Sequence, residues 1–388
     1  MDLIAEIRAS LHSQVSPQCN LGTYSTTEMD ADVTNLFSSL LPYNKVNYNE
    51  YPAIKKMEAE CINFLKNMLH CDDLPESFGL STHGSSEGIF MACNTLKQEY
   101  RGHGVPNIII SDCAHSSWIN AARILNIELR EVSFRTDSLN SSLEQVIDEN
   151  TIALGVTLGT TSTGLFEPVE EINHYLEDYQ KKNNHFIPIH VDAASGGFIA
   201  PFQFPDLKWD FRLTHVSSIN ISGHKYGMVF PSIGWVFWKE ERSIGEKMKI
   251  EYLKDTFFHF GINFSSPAAY VVAQYYSLKK LGFSGYAEKT NYLYHTKAQI
   301  ESELSKIPYL TIISECNIKR LPVVCWVYNE EYLFDIIVKR FEEYGWTVPC
   351  CQISRGSSAR CCRIVVRHNV TREIINKLIH DIASIHLL

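Results

Sequence analysis

Short apolar runs alternate, over the first 290 or so residues, with segments whose apolar side chains recur at helical spacing. The runs are typical of buried strands, because each is short and is bounded by polar residues or glycine. They cover 107–112, 152–158, 187–192 and 233–238. One predicted helical face carries Ile89, Cys93, Leu96 and Tyr100. This alternation predicts an α/β fold in which helices sandwich a mostly parallel sheet, with ligands at the carboxyl ends of the strands.

The pattern changes near residue 290. A long polar helix is predicted first, and a closing helix is predicted at the end. Strands are predicted between them, near 310–314, 322–328 and 362–366. We therefore expect an N-terminal arm, a large domain and a small α+β domain, over 1–55, 56–290 and 291–388.

Composition and charge narrow the class of protein. Hydrophobic residues make up 45% and charged residues 20%, which is ordinary globular usage. The formal net charge of -9 argues against a nucleic acid or an anionic membrane as the partner. No apolar run approaches the ~18 residues that span a bilayer. The first residues carry acids rather than a cationic region, so we expect no secretory signal.

The eleven cysteines are an odd number in a chain without a predicted export signal. This favours free thiols in a reducing compartment, and we expect a cytoplasmic protein. The adjacent pairs Cys350-Cys351 and Cys361-Cys362 suggest zinc, but neighbours along a strand point to opposite faces. We favour buried free cysteines and expect no metal site.

Three segments carry the candidate chemistry. Residues 82–88 open a predicted helix with Gly-Ser-Ser, which can bind a phosphate but is also typical of simple helix capping. Asp192 ends a predicted strand before small residues, which leaves room for a flat ligand, unless it only caps the next turn. Lys225 follows an apolar strand beside His224 and glycines, and lysines are rarely buried without a function.

Together the three segments match the requirements of one cofactor. Pyridoxal phosphate needs a lysine for a Schiff base, an acid at the pyridine nitrogen and an anion site for its phosphate. The chain presents the phosphate segment, Asp192 and Lys225 in that order. We therefore predict pyridoxal phosphate as the cofactor.

The same segments resemble those of a known family. HVDAASGGFIAPF at 190–202, SGHKYG at 222–227 and INFSSPAAYVVAQYY at 262–276 are similar to group II pyridoxal-phosphate decarboxylases of fold type I, and most similar to the glutamate decarboxylases. The resemblance extends from about Asn20 to the C-terminus. It implies a carboxy-lyase that acts on an L-amino acid, with conversion of glutamate to 4-aminobutanoate and carbon dioxide favoured.

The resemblance also implies roles around the cofactor ring. Lys225 would hold the cofactor, and Asp192 would keep the pyridine nitrogen protonated. Ala194 would pack beneath the ring, and Thr161 would approach its oxygen side. His115 would stack on the opposite face of the ring, where a core histidine is the alternative.

The phosphate site implied by the family is shared between two subunits. In this chain the matching residues are Ser85, Ser86, Ser222 and His224. The partner subunit would contribute Phe264 and Ser265. We therefore expect a homodimer with shared active sites.

Substrate recognition is implied at five positions. Arg363 matches the arginine that receives the α-carboxylate, unless it is a surface arginine on a strand. Thr23, Tyr24 and Asn44 match substrate-contacting positions, with Tyr24 in place of the family's Phe. Asn47 replaces an Asp, and an amide can donate a hydrogen bond to a carboxylate without first being protonated. Asn47 therefore allows glutamate to bind at neutral pH, or it indicates a different substrate.

The sequence leaves alternatives open. Aspartate, cysteine sulfinate, an aromatic amino acid or histidine could be the substrate, because Asn47 and His115 differ from the bacterial glutamate enzymes. The active-site segment 252–260 reads YLKDTFFHF where relatives have a Gly-Gly pair, so its closure is expected to differ. A cofactor-binding scaffold or regulator is the alternative outside catalysis.

Overall fold

A computed structural model describes residues 2–12, 14–46, 49–134, 138–240, 248–252, 255–259, 261–313, 319–368 and 370–386. A seven-stranded sheet forms the centre of the larger part. Its strands are β1 (Phe78–Thr82), β2 (Asn107–Ser111), β3 (Glu128–Val132), β4 (Thr151–Thr157), β5 (Ile189–Asp192), β6 (Val216–Ser222) and β7 (Gly234–Trp238). They lie in the order β1-β7-β6-β5-β4-β2-β3.

Only β7 runs against its neighbours in this sheet. It pairs antiparallel with β1 and β6, and the remaining pairs are parallel. The predicted α/β fold with a mostly parallel sheet is therefore confirmed. The predicted runs form β2, β4, β5 and β7 within about two residues of their ends.

Helices cover both faces of the sheet. The helices of the larger part and of the N-terminal segment are α1 (Leu3–His12), α2 (Ala31–Leu40), α3 (Pro52–Met68), α4 (Ser85–Glu99), α5 (Ser117–Leu125), α6 (Leu139–Glu144), α7 (Val169–Asn183), α8 (Ala200–Gln203) and α9 (Ala269–Leu304). On β2, Ile108 and Ile110 pack with α4 and α5, whereas Ile109 packs in the cluster that contains α7. Because alternate side chains of a strand point to opposite faces, a strand covered on both sides is apolar at every position.

A second sheet lies in the C-terminal part. Its strands are β10 (Leu310–Ile312), β11 (Val323–Tyr328), β12 (Cys350–Gln352) and β13 (Arg360–Val365), in the antiparallel order β10-β11-β13-β12. Two helices accompany it, α10 (Tyr332–Glu343) and α11 (Arg372–Ile385). This arrangement matches the predicted small α+β part.

The prediction that a helix starts near residue 290 is wrong. Helix α9 begins at Ala269, and only Gly282 inside it leaves the helical region, with φ of 57°. Glycine adopts this left-handed conformation without strain, and the chain is helical on both sides of this kink. The boundary proposed between residues 290 and 291 therefore lies inside α9.

The N-terminal segment connects the two parts of the chain. Asn20 forms a β-bridge with Thr347, which precedes β12, and Asn44 forms one with Pro267, which precedes α9. The first bridge places the N-terminal segment beside the second sheet, and the other places it beside the start of α9. None of the helices in the described ranges is long and apolar enough to cross a bilayer.

The predicted active-site segment 252–260 overlaps a hairpin. Strands β8 (Met248–Tyr252) and β9 (Asp255–His259) pair antiparallel. Lys254 lies outside the described residues. The backbone is extended in the two described stretches, Met248–Tyr252 and Asp255–His259.

Candidate active site

A cavity of about 190 Å³ opens at the carboxyl edge of the central sheet. Strands β1, β2, β4, β5 and β6 run in one direction, so the segments that follow them meet at this edge. The predicted residues that line the cavity are Ser85, Ser86, His115, Thr161, Asp192, Ala194, Ser222, His224 and Lys225. Residues far apart in sequence are thus brought around one space.

A larger cavity of about 570 Å³ lies between the N-terminal segment and α9. None of the predicted site residues lines it. Two charged groups in its wall, Asp30 and Lys280, form an ion pair with each other. The candidate active site is therefore the smaller cavity.

The start of α4 forms one wall of the site. Gly84 has φ of 111°, and a Cβ there would lie 3.0 Å from Cε1 of His224, so the turn requires glycine. The hydroxyl oxygens of Ser85 and Ser222 are 2.8 Å apart. Unpaired backbone N–H groups in the first turn of a helix, together with hydroxyl groups, bind an anion well.

His224 lies beside this turn. Its Nδ1 donates to the carbonyl oxygen of Ile233 at 2.7 Å. Burial, and secondarily the charge of Lys225, lowers the pKa of His224 to about 4. The ring is therefore neutral, and its Nε2 is left to interact with a ligand; a bound anion would raise this pKa.

Asp192 is 3% exposed and is held by two donors. Its Oδ1 accepts the backbone N–H of Ala194 at 3.1 Å and the side-chain amide of Asn220 at 2.8 Å. Within the described residues, no hydrogen bond reaches Oδ2. One carboxylate oxygen is thus fixed and the other is available to a ligand.

A chain of hydrogen bonds extends behind Asp192. The amide nitrogen of Asn220 donates to Asp192. The Oδ1 atom of Asn220 therefore faces Nε2 of His190, at 2.7 Å. Burial lowers the pKa of His190 to about 4, so the ring is neutral and Nε2 carries its proton. Nδ1 then accepts from the hydroxyl of Ser218 at 2.8 Å. Every member of this buried chain has a partner.

Lys225 reaches into the cavity from the segment after β6. Its Nζ donates to Oγ of Ser195 at 3.1 Å and lies 5.4 Å from the centre of the Tyr24 ring. Burial lowers the pKa of Lys225, and Arg363 adds to this, whereas Asp192 opposes it. The amine therefore loses its proton more readily than an exposed lysine does.

Arg363 projects from β13 toward Tyr24. Its guanidinium carbon lies 5.1 Å from the centre of that ring, and its terminal nitrogens donate to the carbonyl oxygens of Thr161 and Gly22. The Tyr24 hydroxyl donates to the same Thr161 oxygen at 2.9 Å. Burial raises the pKa of Tyr24 to about 12 despite the opposing effect of Arg363, so the phenol stays protonated.

His115 stands at the mouth of the cavity and is exposed. Its Nδ1 accepts from the hydroxyl of Ser117 at 2.9 Å and from the backbone N–H of Ser117 at 3.2 Å. Burial of part of the ring lowers the pKa of His115. The neutral ring therefore carries its proton on Nε2.

Among the described residues, six predicted site residues do not line the cavity of this single chain: Thr23, Tyr24, Asn44, Phe264, Ser265 and Arg363. Asn44 donates to Oγ of Ser265 at 3.1 Å, and Phe264 beside it is 45% exposed. Thr23 accepts from the backbone N–H of Ser25 at 3.1 Å. Asn47 lies outside the described residues. Asn44 thus lies with the pair that the resemblance assigned to a neighbouring subunit.

Unpaired polar atoms in the cavity wall indicate that it receives a polar ligand. His83 Nε2 and Thr157 Oγ1 are buried and have no partner among the described residues. Besides these atoms, the cavity wall carries the α4 turn, the held carboxylate of Asp192 and the amine of Lys225. These groups fit a flat cofactor that carries a phosphate.

Comparison with known proteins agrees with this geometry. The model of the pyridoxal-dependent decarboxylase conserved domain matches residues 2–329. The chain belongs to the pyridoxal-dependent decarboxylase family. This decarboxylase is a carboxy-lyase of fold type I, and its cofactor is pyridoxal phosphate.

Three relatives illustrate the similarity. The chain is 33% identical to a glutamate decarboxylase of Solanum lycopersicum, over 95% of this chain and 77% of that protein. It is 34% identical to one of Aliivibrio fischeri, over 94% and 82%. The structure of a Lactobacillus brevis glutamate decarboxylase superposes with a TM-score of 0.90 at 29% identity, over 99% of this chain and 92% of that one.

Sequence reasoning missed the polar groups behind the site. Ser195 and His190 lie within a quoted motif but received no role. Asn220 could have been noticed, because polar residues alternate with isoleucines along the buried strand β6. Alternation on a strand covered on both faces is unusual and indicates that one face contacts polar groups.

Glu167 was missed as well. It is buried, and its Oε2 accepts the backbone N–H of Thr157 at 2.6 Å. Burial raises the pKa of Glu167 to about 8, and the charges of Asp112 and Asp192 add to this. The carboxyl is therefore largely protonated at neutral pH, and an isolated Glu before a proline gives no sequence signal of this.

The raised pKa predicts a pH-dependent stability. Between the unfolded value of about 4.3 and the folded value of about 8, the folded state binds more protons, so Glu167 lowers stability as the pH rises. Glu167→Gln should therefore leave the thermal midpoint near its wild-type value at pH 5 and raise it increasingly toward pH 8.5. Glu171→Gln, at an exposed neighbour, is the matched control. Equal pH slopes for wild type and Glu167→Gln would contradict the assignment.

Proposed function

We propose that this decarboxylase converts L-glutamate to 4-aminobutanoate and carbon dioxide. The similarity to the glutamate decarboxylases of Solanum lycopersicum and Aliivibrio fischeri supports this substrate. The structural observation that supports an amino acid substrate is the buried Nε of Arg363, which has no partner among the described residues. A substrate carboxylate satisfies such a donor with a charge-assisted hydrogen bond.

Lys225 and Asp192 are proposed to hold the cofactor at its two reactive ends. When bound, pyridoxal phosphate supplies a sink for the electron pair left when the bond between Cα and the carboxylate breaks. The lowered pKa of Lys225 favours the unprotonated amine, which attacks a carbonyl carbon. Asp192, held at Oδ1, is proposed to keep the pyridine nitrogen protonated.

The remaining cofactor contacts follow from the walls of the cavity. We assign the phosphate to the start of α4, with Ser85, Ser86, Ser222 and His224. We assign Ala194 and His115 to the two faces of the ring, and Thr161 to its oxygen side. The neutral state of His115 supports a stacking role, because an uncharged ring avoids the desolvation of a cation.

Substrate contacts are proposed at the small-domain side of the cavity. Arg363 would bind the α-carboxylate. Thr23 and Tyr24 would contact the substrate from the N-terminal segment, and the centre of the Tyr24 ring lies 5.4 Å from Nζ of Lys225 and 5.1 Å from the guanidinium carbon of Arg363. Asn47 would donate an amide hydrogen bond to the side-chain carboxylate.

A panel of the twenty amino acids tests the proposed function directly. Release of carbon dioxide by the holoenzyme is expected to be greatest with L-glutamate. Lys225→Ala should abolish both this release and the absorbance band of the lysine-bound cofactor. Lys208→Ala, at a half-exposed ion pair with Glu170, is the matched control and should keep both. Greater release from another amino acid would refute the substrate, and turnover by Lys225→Ala would refute the lysine.

We also propose that the protein is a homodimer with shared active sites. Helix α1 presents an apolar stripe in the single chain, with Leu3, Ile4, Ile7 and Leu11 between 48% and 66% exposed. Ile262 and Phe264 are 48% and 45% exposed beside Asn44 and Ser265. A second copy of the chain would cover these surfaces and bring Phe264 and Ser265 to its neighbour's phosphate site.

Sedimentation of the holoenzyme tests this assembly. The expected mass is about twice the 44.3 kDa of one chain. Ile7→Glu should shift the population toward monomers because it introduces a charge into the apolar stripe, whereas Ala9→Glu, on the opposite side of α1, should not. A monomeric holoenzyme with full activity would contradict the proposal.

The compartment and domain division are proposals as well. The ten cysteines in the described residues are all free thiols, which supports a cytoplasmic location. We propose the division into a 1–55 arm with the substrate loop, a cofactor-binding domain over 56–290 and a small domain over 291–388, in which residues 291–304 are the end of α9. The second sheet supports the last of these.

A further inference from the structure

Arg367 lies two residues after β13 and is 2% exposed. Both of its terminal nitrogens donate to oxygens of the N-terminal segment 17–27. Nη1 reaches the carbonyl of Ser25 at 3.2 Å and the hydroxyl of Thr27 at 3.3 Å. Nη2 reaches the carbonyls of Pro17, Gln18 and Asn20 at 3.4, 3.3 and 2.8 Å. One guanidinium therefore holds this segment on both sides of Thr23 and Tyr24.

The partners of Arg367 are unusual for a buried cation. Every hydrogen bond it forms goes to a neutral oxygen, and in the described part of the chain no carboxylate pairs with it. Burial lowers its pKa to about 10, although the group still carries its charge at neutral pH. Burying a cation without an anion is costly, so the oriented carbonyl dipoles of the segment must compensate for the charge.

The segment that Arg367 holds is also attached at both of its ends. On the small-domain side, the N–H of Leu21 donates to Thr347 at 2.9 Å, and the N–H of Val365 donates to Leu21 at 2.8 Å. On the other side, the N–H of Thr26 donates to the His224 carbonyl, and its hydroxyl donates to the Lys225 carbonyl, both at 2.8 Å. The segment therefore spans from the second sheet to the backbone of the lysine in the active site.

We propose that Arg367 is a positioning residue that fixes segment 17–27 in the conformation that presents Thr23 and Tyr24 to the substrate. The inference rests on the proposed function, because these two residues contact substrate only if that function holds. Lysine cannot replace Arg367, because a single ammonium nitrogen cannot reach acceptors on both sides of the segment as a planar guanidinium does.

The substitution Arg367→Lys tests the proposal without removing the charge. We expect the KM for glutamate to rise about tenfold or more, because small displacements of positioning groups are amplified in the bound state. We expect kcat to change less and the absorbance band of the lysine-bound cofactor to persist. Amide hydrogen exchange over 17–27 should accelerate, and this measurement needs no substrate. Arg360→Lys, at the start of β13 and paired with Glu331 and Asp335, should change none of these.

A second variant covers the case in which a lysine is tolerated poorly. Arg367→Ala leaves a space for the missing group, so low concentrations of guanidinium ion should restore slow exchange and low KM, whereas methylammonium should not. Unchanged exchange over 17–27 in both variants would overturn the proposal, and so would loss of the cofactor band with an unchanged KM. If the wild type fails to decarboxylate glutamate, the proposed function fails, and the exchange result still decides the role of Arg367.

Discussion

The register between β5 and β6 is the constraint on which the site depends. Asp192 pairs with Asn220 across these strands, and β6 ends two residues later, so the backbone delivers Lys225 to the edge where Asp192 ends its own strand. A shift of one residue would turn Asn220 to the opposite face and leave the Asp192 carboxylate without its amide donor. The acid and the amine are therefore brought to one cavity by sheet pairing rather than by any contact between them.

Burial then sets the charge states around this pair. His190 and His224 have lowered pKa values and are neutral, and burial also lowers the pKa of Lys225. The Arg363 guanidinium, 5.1 Å from the centre of the Tyr24 ring, stays charged. The neutral His190 donates to Oδ1 of Asn220, which orients the Asn220 amide so that its nitrogen donates to Asp192. Fixed donors that need not reorient during a reaction are the usual source of electrostatic stabilisation in enzymes.

The sequence predicted the groups that carry their own local signal. Asp192 and Lys225 end apolar runs in motifs with characteristic neighbours, and the parallel sheet follows from the alternation of strands and helices. Groups that act through long-range contacts were not predictable. Arg367 bonds to a segment more than three hundred residues earlier in the chain. The start of the long helix predicted near residue 290 was also missed, because α9 begins at Ala269 and is interrupted only at Gly282.

Asn44 shows a further limit of assigning roles to single residues from their match to a family. Its match to a substrate-contacting position predicted a place in the cavity, but its side chain bonds to Ser265, on a segment that faces outward. The sequence does not indicate which subunit's site a residue completes, because this depends on an interface and not on local pattern.

Reduction of the holoenzyme with borohydride, followed by peptide mapping by mass spectrometry, tests the central claim most directly. Borohydride converts the C=N bond between cofactor and lysine into a stable C–N bond. The account predicts one pyridoxyl group per chain, on the peptide that contains Lys225. A pyridoxyl group on another lysine, or a holoenzyme that takes up none, would contradict it.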